Sequence, residues 1–504
     1  MQYYWVIFSQ IIFAFWDKIT QNEGFLCEAC ILSVSIKRGG RLTLPARASV
    51  WYTACGVIER GASFIFTPIF TRALTPEEYG LYPLYVSFMS LFTIIITLEL
   101  SGNIIYRGLS KYRGREDEFI SSTLGIVCSL FVSVTILLLL FGDFFARVTG
   151  LSRYILFFLS VQVFLNEVVG LYVAKCRYLY EYKAASVINT ALSVLSPALA
   201  FALINFTRVR ALARIVAPLV VTALVALPLG VLIFARGKKL FSREIWSFIL
   251  RLDLPLLPHF AATAVIAQSG KIIVGRYFGE EALAKYSVVF SMGFVFSLIT
   301  VGINSALSPW VNRKLAGGEG DKISSVVEPA FALFSLMTLC GLCFSPEGLA
   351  FLAPREYGGA LVAIYPLSLS VLVGFLTTII NAVLLYYKKS HLISAASIIT
   401  AGVNLLLGLT LTVRYGFVAA SLVQLASALT LFAISAVTVG GVSHNSVVSP
   451  KSHLAVLTFV GVVSVLLYLL RGAVISRVLI FVALVMLALP VALRCKSLII
   501  EKKA

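Results

Sequence analysis

Residues 70–82 read Phe-Thr-Arg-Ala-Leu-Thr-Pro-Glu-Glu-Tyr-Gly-Leu-Tyr, and residues 276–286 read Arg-Tyr-Phe-Gly-Glu-Glu-Ala-Leu-Ala-Lys-Tyr. At a constant offset of 204 residues, Arg72 falls on Arg276, Leu74 on Phe278, Glu77 on Glu281 and Tyr82 on Tyr286. Farther along the same register Ser101 falls on Ser305 and Tyr106 on Trp310. So many matches in one register identify an internal repeat, and the repeat decides how the rest of the chain is read.

What lies between the copies is apolar. Of 504 residues, 59% are hydrophobic and 13% charged, against about 45 to 50% and about 25% in soluble domains. Windows of about 19 residues give fourteen candidate spans, beginning near Val50, Leu81, Phe119, Tyr154, Ala184, Ala211, Ser247, Leu283, Val326, Gly358, His391, Phe417, Leu454 and Val478. Each is long enough to cross about 30 Å of hydrocarbon as a helix. The expected fold is therefore all-α and polytopic in a lipid bilayer, with connections too short to hide a soluble domain.

Six spans separate the two copies. Six is even, so both halves cross in the same direction, and parallel repeats of this kind place a substrate between two lobes near the midplane. The expected organisation is a six-helix lobe at 49–240, a second at 241–440, and two trailing helices with a basic tail at 441–504. Residues 1–48 stand apart: an apolar run from Met1 to Trp16 lacks the basic start and small-residue cleavage site of a signal peptide. We read this extension as dispensable.

The net charge of +18 does not indicate nucleic acid. Lys and Arg sit in loops between apolar runs, with no aromatic-interleaved basic patch on a soluble surface. Leaving out Lys18 and Arg60, they divide 26 against 13 between the two sides, the richer side carrying Arg107, Lys175, Arg236, Lys239, Arg313 and Lys388. The bias toward basic cytoplasmic loops then puts both termini in the cytoplasm, as an even number of spans requires.

No constellation for catalysis is present. The four histidines, His259, His391, His444 and His453, are scattered, and no paired-carboxylate loop or Ser-His-Asp set accompanies them. Cys27-x-x-Cys30 and Cys340-x-x-Cys343 lack the second pair a structural metal site needs. Neither an enzyme nor a metal or cofactor is expected.

The informative polar residues lie inside spans. Glu59 and Arg60 interrupt the first span, where a bare charge costs about 2.5 to 3.5 kcal/mol on insertion scales. Thr53, Gly56, Arg60, Ser63 and Thr67 recur at steps of three and four, so one face of this helix is small or polar and reads as a cavity wall. Packing offers another reading, in which Arg60 pairs with Glu99 or Glu167. Glu99, Asn103 and Tyr106 in the second span, and Ser297, Thr300, Asn304 and Ser308 in the eighth, form further polar faces. Pro255, Pro258 and Gly270 should bend the seventh span. Arg72 and Arg276 sit just past the ends of their spans, as anchors or as substrate contacts, and Glu77 and Glu281 serve the local turns.

The 70–82 segment, the fourteen spans, the six-plus-six repeat and the two trailing spans together resemble the Wzx-type polysaccharide (O-antigen) flippases of the MOP superfamily, which also holds MATE drug exporters and lipid II flippases. The likeness covers roughly residues 46–440 and extends more weakly to 500. It implies a bacterial inner-membrane protein that moves an undecaprenyl-pyrophosphate-linked oligosaccharide to the periplasmic leaflet, beside polysaccharide polymerase machinery. A pyrophosphate needs cations, and Arg60 is the expected principal anchor. The substrate set is then Arg60, Glu59, Ser63, Thr67, Glu99, Asn103, Asn304, Arg72, Arg276 and Lys271. Relatives often carry an Asp-Arg pair where this chain has Gly270-Lys271, so no role is carried over for that acid. A MATE-like cation antiporter, with Glu59 and Glu99 as ion ligands, and a lipid II flippase are the competing readings.

Overall fold

The computed structural model describes residues 44–442 and 450–500, and the N-terminal extension falls almost entirely outside them. The first half of the repeat comprises α1 (Leu44–Ala73), α2 (Pro76–Thr97), α3 (Asn103–Lys111), α4 (Glu116–Thr149), α5 (Arg153–Tyr178), α6 (Tyr182–Phe206) and α7 (Arg210–Gly237). The second comprises α8 (Arg243–Asp253), α9 (Leu257–Ala316), α10 (Ser324–Cys343), α11 (Ser345–Leu352), α12 (Ile364–Tyr386), α13 (Ser390–Leu407) and α14 (Phe417–Val442). Two helices trail them, α15 (Pro450–Leu469) and α16 (Val474–Ile500).

Twelve segments of the described residues are long and apolar enough to cross a membrane. The protein is all-α and multi-pass. Leu140, Leu224, Val231, Val437 and Ile475 are exposed, a surface that only lipid can cover. The first span is missing from the twelve, since Glu59 and Arg60 lower the apolarity of α1. The seventh and eighth form one continuous segment, Arg243–Ser297.

That segment holds a reversal. Gly279 has φ +83°, ψ 177°, inside the 60 residues of α9. A Cβ on Gly275 would meet Leu283 at 2.9 Å, and one on Gly270 would meet the Tyr286 hydroxyl at 3.2 Å. In a straight helix residues eight apart stand about 12 Å from each other, so the two legs of α9 fold back side by side about Gly279. A positive φ combined with an extended ψ is a conformation essentially confined to glycine, and here it replaces a loop.

The 204-residue register runs through these elements. Gly279 corresponds to Thr75, the residue before α2. There a two-residue joint is closed by a capping box: the Glu78 N–H donates to Thr75 Oγ1 at 3.2 Å and the Thr75 N–H donates to the Glu78 carboxylate at 3.0 Å. Pro76 follows at the first helical position, where its missing N–H costs nothing. Lys111, the end of α3, corresponds to Leu315 near the end of α9, and Gly237, the end of α7, to Gly441 near the end of α14. Phe141, a non-helical kink inside α4, corresponds to Ser345, where α10 gives way to α11.

The register does not hold within the second span. Leu98 and Glu99 adopt φ +53° and +57°, an unfavourable region for residues with a Cβ, and divide the second span into α2 and α3. Glu99 therefore does not share a helical face with Asn103 and Tyr106, contrary to the spacing argument. The corresponding stretch 302–306 is unbroken helix. The expected bend of the seventh span is present as a 3-10 turn, Leu254–Leu256, between α8 and α9.

At the end of the bundle carrying the basic loops, Arg115 and Lys239 both pair with Glu118 at 2.9 and 2.8 Å, and Lys175 pairs with Asp117. These ties gather the ends of α4, α5 and α7 on the side the charge count made rich. Both trailing helices dock on the second half: Ser452 of α15 donates to Glu328 of α10 at 3.1 Å, and Arg477 of α16 forks onto Glu347 of α11 at 2.6 and 2.7 Å and donates to the Cys343 carbonyl at 2.6 Å.

Candidate functional site

The halves meet along α2 and the first leg of α9. Between them lies a cavity of about 350 Å³ lined by Ser90, Thr93 and Glu99 from the first half and Phe260, Thr263, Ala264 and Ala267 from the second. The α9 residues recur at steps of three and four, so one helical face forms that wall. Lys271, four residues beyond Ala267, continues the face. Its ammonium stands 4.1 Å from the centroid of the Phe290 ring on the second leg, a cation over a π face rather than against a carboxylate. Gln268 bridges the halves, donating to Ser90 Oγ at 3.4 Å.

The break at Leu98–Gly102 places acids at the cavity's edge. Glu167 of α5 accepts from the Ser101 N–H at 2.9 Å and from Ser101 Oγ at 3.0 Å. Arg60, read from the sequence as a candidate partner of Glu167, lies outside the described side chains. Asp253, at the end of α8, is buried with both carboxyl oxygens lacking a hydrogen-bond partner among the described residues. Glu99, Glu167 and Asp253 stand close enough for their charges to act on one another.

Glu59 lies elsewhere. It lines a second cavity, about 320 Å³, with Tyr52, Cys55, Arg177, Ser186 and Asn189. Four of those residues come from α1 and α6 of the first half, and Arg177 of α5 stacks 5.6 Å from the Tyr52 ring. Glu59 and Glu99, grouped in the sequence reading as substrate or ion ligands, line two different cavities. The side chains of Arg60, Ser63 and Asn103 lie outside those described. Thr67 and Asn304 are half-buried on α1 and on the second leg of α9.

Arg72 and Arg276 line neither of these two cavities. Arg72 is exposed and donates to the carbonyls of Pro68 at 3.0 Å, Ala350 at 3.3 Å and Phe351 at 3.0 Å. Arg276, also exposed, donates to the Arg147 carbonyl at 2.8 Å.

Two features escaped the sequence. Arg214 of α7 is buried with its guanidinium 4.7, 4.2 and 4.4 Å from the ring centroids of Phe70, Tyr79 and Tyr82. It lies near the start of α7, and nothing in the local sequence announces the aromatic cage. Asp253 had one signal, an acid set directly before a Pro-containing bend. Outside the spans, hydrogen bonds from Lys314 and Lys322 hold the Glu319 carboxyl down at about 2.

A model of the family described as polysaccharide biosynthesis protein matches residues 46–314. "Lsg locus putative protein 1" of Haemophilus influenzae is 24% identical over 368 residues, covering 70% of this chain and 87% of that protein. An uncharacterised membrane protein of the same organism is 26% identical over 361 residues, 68% of this chain and 84% of its own length. Among solved structures, a lipid II flippase, MurJ, in an inward closed conformation matches with a TM-score of 0.66 at 11% identity, over 90% of this chain and 99% of that one. An inward-facing multidrug-resistance MATE transporter of the MOP superfamily matches with a TM-score of 0.53 at 15% identity, over 76% and 94%. Both share the fold.

Proposed function

The chain belongs to the polysaccharide biosynthesis protein family, and on that footing we propose that it is a Wzx-type flippase of the MOP superfamily that moves an undecaprenyl-pyrophosphate-linked oligosaccharide from the cytoplasmic to the periplasmic leaflet by alternating access. As a member of that family it is a membrane transporter rather than an enzyme. The observation that carries the finer reading is Lys271: a cation deep in α9, on the face that lines the cavity between the halves, held against Phe290. A pyrophosphate arriving there would gain a charge-assisted contact in a low dielectric.

In this reading Arg60 supplies a second cation to the pyrophosphate from α1. Ser63, Thr67, Asn103 and Asn304 offer hydroxyls and amides to the sugars, and Glu59 and Glu99 orient those sugars or balance the cations. The lipid tail stays in the bilayer, so a cavity of a few hundred cubic ångström has only the polar head to hold. The lobes divide at 240/241, the inner membrane of a bacterium is the location, both termini are cytoplasmic, and the polymerase machinery receives the product.

The grouped acids Glu99, Glu167 and Asp253 favour one other reading, an antiporter of cations on the same fold. Deleting the gene separates the two. A flippase leaves a lipid-linked glycan accumulating on the cytoplasmic leaflet, restored by the intact gene and not by Lys271→Met. If no such glycan accumulates and sensitivity to cationic compounds rises instead, the flippase reading fails.

A further inference from the structure

We infer that Arg72 and Arg276 are the two bolts of a single latch that closes the 75/279 end of the cavity and has to be drawn for that end to open. The inference rests on the transport reading above, because only a transporter needs that end to open.

The geometry is reciprocal. Arg72, on the first half, reaches the carbonyl of Phe351 on the second at 3.0 Å; Arg276, on the second, reaches the carbonyl of Arg147 on the first at 2.8 Å. Donors and acceptors are both 204 residues apart, since 276 less 72 and 351 less 147 give the same number. Each half therefore offers one guanidinium and receives one, as a two-fold axis between the halves requires. Each acceptor lies in the last turn of a helix, α4 or α11, six residues past the corresponding positions Phe141 and Ser345.

Physical chemistry explains the receptor. The last carbonyls of a helix have no partner within it and carry the negative end of its dipole. A guanidinium there is stabilised by both effects. Neither bolt binds a carboxylate at its receptor, so drawing it does not strand a buried charge of opposite sign. Arg72 also keeps a bond to Pro68 of its own helix, which holds the side chain in place when the cross-half contact parts. Closure is completed by Thr71, whose Oγ1 donates to the Leu352 carbonyl at 2.6 Å, and by Gly80, which lies against the Glu280 backbone.

The test uses the full chain in lipid nanodiscs, with native cysteines replaced by serine and spin labels at Asp143→Cys and Glu281→Cys. Both positions are exposed, one on each half at this end. Arg72→Ala or Arg276→Ala should each raise the long-distance population about tenfold, which corresponds to about 1.4 kcal/mol, and the pair should raise it further. Lysine at either position, keeping one charge but losing the fork, should give a smaller rise. The measurement needs no substrate, so a failure of the flippase reading would appear in the glycan assay while the distances still moved. Unchanged distances in the alanine variants overturn the latch. So does loss of protein with the lysine variants' distances unchanged, because the arginines would then only help the chain fold.

Discussion

Ser101 gives both its backbone N–H and its hydroxyl to the carboxylate of Glu167, 66 residues away, at 2.9 and 3.0 Å. The contact fastens the break between α2 and α3 to α5. It holds Leu98 and Glu99 in backbone conformations that cost on the order of 1 to 3 kcal/mol each. Replacing Glu167 with alanine strands the Ser101 N–H and should lower stability by about 1 to 3 kcal/mol. Glu167→Gln, which still accepts, should lose less. Thermal melts in detergent check this; equal Tm values for wild type and Glu167→Ala would show that the break holds itself.

Gly80 tests how closely the halves meet. A Cβ there would fall 1.9 Å from the carbonyl oxygen of Glu280, and backbone cannot swing aside as a flexible side chain can. Gly80→Ala should keep the 75/279 end from closing fully and slow glycan export by on the order of tenfold, which takes only about 1.4 kcal/mol. Export at the wild-type rate, measured by surface polysaccharide at matched abundance, would mean that full closure is not required.

The two proposed phosphate anchors differ chemically and should respond differently. Arg60→Ala removes a planar fork, and Arg60→Lys keeps charge without it, so the lysine variant should retain partial export. Lys271→Met removes the only charge of that side chain and should abolish export. Lys271→Arg should retain it if Phe290 can accept the larger cation. Protein abundance has to be followed alongside. Restoration of both abundance and export by Arg60→Ala/Glu99→Gln would make Arg60 a helix-pairing residue and end its phosphate role.

The loop after α9 makes a prediction about pH. The folded carboxyl of Glu319 lies near 2, below its ordinary value, so its ionic ties to Lys314 and Lys322 are fully formed above the ordinary carboxylate range. They are lost only as pH falls toward 2. Across pH 5 to 8 Glu319 itself does not titrate, and Glu319→Gln should leave the pH profile of export unchanged in shape. A shifted profile would show that the loop is protonated in the working cycle.

What the sequence announced and what it hid follow from the range of the interactions. The register of Arg72 with Arg276 was visible because a repeat is written in the chain. Their partners, Phe351 and Arg147, were not, because a backbone carbonyl carries no residue signature and lies 279 or 129 residues away. The bend at Pro255 was legible because proline removes an N–H. The break at Leu98 was not, since Thr97-Leu98-Glu99-Leu100 contains no glycine or proline, and the left-handed pair is enforced from α5 through Ser101. The sequence grouped Glu59 with Glu99 as ligands of one substrate, but no local pattern announces that the two line different cavities.

The fork of Arg477 onto Glu347 has a mechanical consequence. Glu347 corresponds in the register to Asp143, whose only ion pair among those described is with Arg153 of its own half, exposed and 3.7 Å long. One receptor segment, α11, is thus buttressed from outside the repeat by α16, while its counterpart at the end of α4 has a looser strut. The two leaves of the door are unequally stiff. If the proposed latch is drawn, the last turns of α4 should deform first, with the appended helices as the frame against which that leaf swings.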